Sequence, residues 1–275
     1  MTRQAPVLAW GTVRYAAFPD RVAAAAAAGY SGIGLAVPYY RRLRAEGWRP
    51  AELRAVLDDH GIVAAEAEVL FGFCAPPGPA NVPGRPGMVY ADPEVERAVV
   101  ELGDELGVPL VQAVGTFDDR PVDQRVVDSF GELCDRLGPH GLTVALEFVP
   151  YTNIPDVSTA DRVVTAAGRA NGGLCVDSWH FFRGDADWAA LSSVPADRIV
   201  MVQVNDGPLR PETDDVRAEA VSRRRCVGRG EFALGRFLDV VRPPGDPRPV
   251  SVEIYSDALD RLTSVDAAHA AVRGV

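Results

Sequence analysis

The sequence predicts a single (β/α)8 barrel over residues 1–275, and three observations lead to it. Short apolar runs alternate with longer amphipathic ones from end to end. Several short runs are apolar on both faces, as a parallel strand buried on both sides requires. No composition break marks a linker, and the first strand runs into Trp10-Gly11-Thr12-Val13-Arg14 rather than a glycine-rich phosphate turn, which argues against a doubly wound sheet. A chain of 275 residues suits eight such units, since barrels of this kind need about 250 residues.

The elements follow in order. Candidate strands cover residues 7–10, 32–36, 62–70, 109–114, 142–148, 173–177, 198–205 and 249–254. Helical patterns lie between them, among them residues 20–29, 50–60, 93–107, 122–137 and 159–170, several closed by a glycine after the last apolar turn. The alanine run from Ala23 to Ala28 reads as a tightly packed helix face. Strand interiors such as Val111-Gln112-Ala113-Val114 and Val144-Ala145-Leu146 have the β-branched, apolar character of covered strands. Two longer excursions break the rhythm: residues 71–92, rich in proline and glycine, and residues 206–231, rich in arginine and acid. Both follow the C-terminal end of a strand, the end that carries chemistry in a barrel.

Composition narrows the function. With 28 basic against 38 acidic residues the net charge is −10, opposite to the footprint of a general nucleic-acid binder. Every basic residue is arginine, so chemistry that needs a lysine amine is excluded: Schiff-base aldolases, pyridoxal-phosphate enzymes and phosphate-loop lysines. Cys74, Cys134, Cys175 and Cys226 are far apart and form no CxxC, which predicts reduced thiols in a cytoplasmic protein. The N-terminal residues 1–6 have no signal-peptide apolar segment, and no run approaches the roughly 18 apolar residues that span a bilayer. No membrane and no nucleic-acid partner is therefore expected.

A carboxylate at the end of a buried strand is costly unless something compensates it. Glu147, Asp177 and Glu253 each close such a strand, and the strand between the last two supplies Gln203. In a barrel these four sit at the tops of strands five to eight, where alternation lets each point inward. Three carboxylates and an amide oxygen then converge, and their repulsion calls for a divalent cation; an all-oxygen set favours Mg²⁺ or Mn²⁺ over Zn²⁺. His180, three residues after Asp177, is placed to orient a substrate hydroxyl or shuttle a proton. Glu66 and Glu68 share one face of the third strand, and Glu68 is a candidate to reach the site. Trp10 and Phe71 are candidates for an apolar wall against a ring-shaped substrate, and Arg225, in the run Arg223-Arg224-Arg225, for an arginine on a substrate carboxylate or phosphate. His60, His140 and His269 read as structural.

Over nearly its whole length the chain resembles the xylose isomerase-like TIM-barrel superfamily, often described as sugar phosphate isomerases and epimerases. The matching pieces are Glu147 in Ala145-Leu146-Glu147-Phe148-Val149-Pro150, Asp177-x-x-His180, Gln203-Val204-Asn205-Asp206, Gly228-x-Gly230-Glu231 and Val252-Glu253. The resemblance implies metal ligands at Glu147, Asp177, the Gln203 position and Glu253. Glutamine replaces the family's usual histidine, a departure that dehydroshikimate dehydratases of the superfamily sometimes share. The missing lysine separates the chain from xylose isomerase itself. The resemblance further implies one divalent ion, Mn²⁺ or Mg²⁺, a small polyhydroxy carbonyl substrate and a homo-oligomer. Glu147 and Glu253 then act as the acid/base pair, with His180 assisting.

Such a metal stabilises the enediolate formed when a base removes an α-proton. The first expectation is a sugar or cyclitol isomerase or epimerase. A dehydratase of a ring ketone, of the 3-dehydroshikimate or inosose type, shares every step but the last. A non-catalytic ligand-binding barrel is the third reading. An endonuclease IV-like nuclease needs a histidine-rich three-metal cluster and a basic face, which four histidines and the −10 charge oppose.

Overall fold

Eight parallel strands pair in sequence order and the last returns to the first, so the sheet closes as a barrel with helices between its strands. The strands are β1 (Val7–Leu8), β2 (Gly32–Ala36), β3 (Val63–Phe71), β4 (Leu110–Val114), β5 (Thr143–Glu147), β6 (Gly172–Asp177), β7 (Ile199–Val204) and β8 (Ser251–Val252). These positions come from a computed structural model that describes residues 5–75, 81–82, 89–243 and 245–275. Most of the proline- and glycine-rich excursion at 71–92 (residues 76–80 and 83–88), and the first four of the N-terminal residues, lie outside the described residues.

All eight expected strands are present. The first and last are shorter than the sequence suggests: Trp10 opens a 3-10 turn, Trp10–Val13, and Glu253 lies one residue beyond β8. Its backbone N–H still donates to the Val204 carbonyl at 3.1 Å, which holds it against the barrel rim. The helix expected at 122–137 begins at Gln124, because the Asp123 carboxylate accepts the Arg125 N–H at 3.0 Å and caps it. Gly107 ends the helix Pro93–Leu106 in the left-handed region, φ 70°, where a side chain would be strained. The helix Val37–Ala45, which follows β2 directly, was not among the named helical patterns.

Two apolar layers follow from strand alternation. Outward-facing Val144, Leu146, Leu174, Val176 and Val202 pack beneath the helices in the main core. Inward-facing Ala145, Cys175 and Met201 form a second, small cluster inside the barrel. The next inward position along each of these strands is polar, and that layer carries the site. All four cysteines are free thiols. Among the described residues no helix is long and apolar enough to cross a membrane.

Candidate active site

The β6–β7 register sets Asp177 opposite Gln203, and the β5–β6 register sets Glu147 opposite Cys175. With Ala145, Cys175 and Met201 turned inward, the same parity carries Glu147, Asp177, Gln203 and Glu253 to the top of the barrel interior. All four are buried.

Asp177 anchors the centre. Its Oδ1 accepts from the Trp179 N–H (2.8 Å), capping the helix Ser178–Arg183, and from Asn205 Nδ2 (2.7 Å). The first turn of that helix brings His180 back over the site, with Nε2 3.8 Å from Asp177 Oδ2 and 3.6 Å from Glu147 Oε1. Arg224 Nη1 donates to Asp177 Oδ2 (2.8 Å) and to Glu253 Oε2 (2.7 Å), while its Nε is tied to the Ala220 carbonyl (2.8 Å). Gln203 Nε2 donates to Glu253 Oε1 (3.2 Å); its oxygen accepts from Gln112 Nε2 (3.2 Å) and from the Cys175 thiol (3.4 Å).

The electrostatics follow from burial. Burial opposes the charge on Arg224, but Asp177 and Glu253 outweigh it and raise its pKa. Burial, then repulsion from Asp177 and Glu253, pushes the Glu147 carboxyl well above the usual carboxylate range. Glu253 is pushed up to about 8, chiefly by burial, with Arg224 pulling the other way. Burial lowers His180 to about 4, so the ring is neutral near pH 7.

One guanidinium faces three acids, and without a further cation burial and mutual repulsion hold Glu147 and Glu253 toward the protonated form. Two buried polar atoms, Glu147 Oε1 and His180 Nδ1, have no hydrogen-bond partner. Donor atoms of Glu147, Asp177 and His180 all lie within 4.8 Å of one another, a span that one ion bridges with ligand bonds of about 2.0–2.5 Å. The residues present therefore fit a divalent cation. Gln203 belongs to the ring, but its amide oxygen faces Gln112 and Cys175, and ligation through it requires the amide to turn over.

Above the centre opens a cavity of about 600 Å³, to which Glu147, His180, Arg224 and Glu253 contribute. That volume suits a small ligand. Trp10 and Phe71 line it as expected, joined by Tyr255, Tyr151 and Phe117. Trp10 and Tyr255 lie with ring centroids 6.5 Å apart, Phe117 stacks on Tyr151 at 6.0 Å, and Tyr151 meets the His180 ring edge-on at 6.0 Å.

Two residues expected to bind substrate, Arg225 and Glu68, are not brought to the cavity. Arg225 pairs with Glu212 on the surface, and the arginine that enters is Arg224. The reason is parity: Arg225 exchanges both backbone hydrogen bonds with Asp206, 2.8 and 2.9 Å, so its neighbour turns to the opposite side. Glu68 lies behind the wall, where its Oε1 accepts the Trp10 backbone N–H at 2.9 Å. Sequence reasoning also passed over Gln112, Tyr255, Arg217 and Tyr151. Gln112, a polar residue inside an apolar strand, was a signal available from sequence; so was Tyr255, two residues after Glu253. For Arg217, in the five-residue helix Val216–Ala220, and Tyr151, in a turn, the segments are too short to offer a periodicity to read.

A family model described as xylose isomerase-like TIM barrel matches residues 22–274. Inosose isomerase of Bacillus subtilis (strain 168) is 27% identical over 181 residues, 62% of this chain and 63% of that protein. The chain thus spans less than two thirds of that relative's length. A 3-dehydroshikimate dehydratase of Pseudomonas aeruginosa is 30% identical over 175 residues, 60% of this chain and 27% of the dehydratase. Among solved structures, the IolI protein with a bound zinc atom superimposes with a TM-score of 0.82 at 22% identity, covering 98% of this chain and 95% of that one.

Proposed function

From the premise that the chain belongs to the xylose isomerase-like TIM barrel family, we propose that it is a divalent-metal-dependent isomerase or epimerase of a sugar or cyclitol ketone. The observation that carries this reading is the opening of Glu147, His180 and Glu253 onto one aromatic-walled cavity above an undercompensated carboxylate centre. Glu147, Asp177 and Glu253, with His180 or a turned Gln203, would hold the ion. A bound divalent ion, Mn²⁺ or Mg²⁺ for so carboxylate-rich a set, supplies Lewis acidity toward a carbonyl and its neighbouring hydroxyl.

The chain's own groups move the proton. Glu147 Oε1, which has no hydrogen-bond donor, receives the proton from the carbon beside the carbonyl. Glu253 comes from the far side of β6 and β7 and is held by Gln203 and Arg224; it returns a proton to the other face or to the neighbouring carbon. His180, neutral near pH 7, holds a substrate hydroxyl. The Trp10, Tyr255 and Tyr151 rings pack against the ring carbons and narrow the access of water. The size and aromatic walls of the cavity suit a polyhydroxylated ring ketone.

Gln203 favours a second reading, a dehydratase of a polyhydroxylated ring ketone, which differs only in losing a β-hydroxyl after proton removal. The test is to incubate the Mn²⁺-loaded protein with an inosose in deuterium oxide and follow the α-carbon by proton NMR. Exchange of the α-proton is expected, slowed by about 10²–10⁴-fold in Glu147→Gln. A new ultraviolet-absorbing enone would assign the dehydratase outcome. No exchange with inososes, ketoses or 3-dehydroshikimate would overturn both.

A further inference from the structure

Three arginines line the described cavity, and their partners differ. Arg224 is neutralised by Asp177 and Glu253. Arg14 is neutralised by Asp260, with Nε at 3.1 Å and Nη2 at 2.5 Å. Arg217 has no carboxylate within ion-pairing distance among the described residues. Two acids lie two residues away in sequence: Glu219 is paired with Arg183, and Asp215, which also lines the cavity, has its Oδ1 occupied by the Ala218 N–H at 3.0 Å as the cap of a short helix.

Arg217 is nonetheless held in place. Its guanidinium carbon lies 5.1 Å from the Phe117 ring centroid and 5.4 Å from that of Tyr151, and Nη2 reaches the Tyr151 carbonyl at 3.4 Å. Tyr151 in turn meets His180, so the guanidinium stands one aromatic ring away from the catalytic centre. The cation is oriented by π faces, which leave most of its five N–H donors uncommitted. A guanidinium fork with free donors at the mouth of a cavity matches an oxyanion, a carboxylate or a phosphate.

We propose that Arg217 is a specificity-determining residue that reads an oxyanion substituent on the substrate, so that the cavity takes an acidic polyhydroxy carbonyl compound in preference to a neutral one. This rests on the reading of the cavity as the substrate site and adds the charge of the substrate to it. Placement across the site agrees: a metal held by Glu147, Asp177 and Glu253 would engage the carbonyl end, and Arg217, one aromatic ring away, would fix the opposite end and so orient the ring for proton removal at one carbon.

The test is binding, measured by calorimetry on the Mn²⁺-loaded protein, so it stands apart from turnover. Four probes are used: shikimate and its methyl ester, fructose 6-phosphate and fructose. One anionic probe is expected to bind about 10- to 100-fold more tightly than its neutral counterpart, the range of a charge-assisted hydrogen-bonded pair. Preference for shikimate assigns a carboxylate, and preference for fructose 6-phosphate a phosphate. Arg217→Gln is expected to abolish the preference while leaving the neutral probes unchanged, which doubles as the control for an intact cavity. Arg217→Lys is expected to keep part of it, because the charge remains and the fork is lost. Equal binding of charged and neutral probes, a preference that survives Arg217→Gln, or no binding of either anion overturns the inference. Absence of proton exchange alongside an Arg217-dependent anion preference would instead overturn the catalytic reading and leave this one standing.

Discussion

Two groups of acids are buried in the same barrel interior and are compensated in different ways. Glu66 and Glu68 on β3 are as inaccessible as Glu147, Asp177 and Glu253. The β3 pair is met by one neutral donor each: Ser251 Oγ reaches Glu66 Oε1 at 2.5 Å and the Trp10 N–H reaches Glu68 Oε1 at 2.9 Å, while Glu68 Oε2 has no hydrogen-bond partner. Neither forms an ion pair among the described residues, and burial pushes both to about 8, so they are protonated near pH 7. The strand-end cluster is met by a permanent cation, Arg224, and a histidine, and opens to the cavity. An acid on a buried strand is thus no marker of chemistry by itself. The marker is an excess of acid that neutral donors leave uncompensated, at the C-terminal rim, in contact with a substrate-sized space.

Substitutions at the two groups separate them, beginning with the largest effect. In the strand-end cluster, Glu253→Gln is expected to slow α-proton exchange by about 10²–10⁴-fold with the fold retained, read by NMR exchange and circular dichroism. Arg224→Met leaves Asp177 and Glu253 facing each other without a cation. The metal-free variant is expected to lose about 3–5 kcal/mol by urea unfolding, and saturating Mn²⁺ to restore a substantial part. Equal loss with and without metal would mean that the guanidinium and the ion do not share the same countercharge role.

At the β3 pair, Gly34→Ala is expected to cost about 1–3 kcal/mol, since a Cβ at that glycine would stand 2.0 Å from Glu68 Oε1. Glu68→Gln is expected to change stability by less than about 1 kcal/mol near pH 7 and to leave metal binding intact, because the carboxyl it replaces is already protonated. The pH dependence sharpens the contrast. Glu66, Glu68 and Glu253 have folded-state pKa values raised to about 8, so the folded metal-free protein holds protons that the unfolded chain has released. Their contribution to stability is therefore full below the ordinary carboxyl value of about 4.5 and is lost as pH rises from there through about 8, by on the order of 1 kcal/mol per unit for each such group. His180 acts oppositely and lower down: with its pKa lowered to about 4, it favours the folded state as pH rises toward 6.5. Bound metal is expected to remove the Glu253 and Glu147 share of the fall above pH 6.5, and Glu66→Gln with Glu68→Gln the remainder, followed by urea midpoints at each pH.

The same comparison shows what was legible in the sequence. Barrel closure and the inward turn of Glu147, Asp177 and Glu253 follow from period-2 alternation on parallel strands, and a short helix after Asp177 returns His180 at three residues' spacing. Strand ends were less legible, because β1 and β8 shrink to two paired residues each while their neighbours continue as turns. The choice among three consecutive arginines was not legible, since the parity of the 223–225 segment is set by pairing with Asp206 and Ser256, far along the chain. Nor was the separation of Glu68 from the cavity: alternation places it inside the barrel, but only the position of the Trp10 backbone shows that it faces the wall's far side.

The most direct test of a strand-end metal centre is the divalent-metal content of the purified protein by mass spectrometry, for the unmodified chain and for Glu147→Gln with its fold verified. About one divalent ion per chain is expected, lost or sharply reduced in the variant and unchanged in Glu68→Gln. No bound ion after incubation with excess Mn²⁺ and dialysis would contradict it, and would leave Arg224 as the counterion of Asp177 and Glu253 in a cavity that binds without this chemistry.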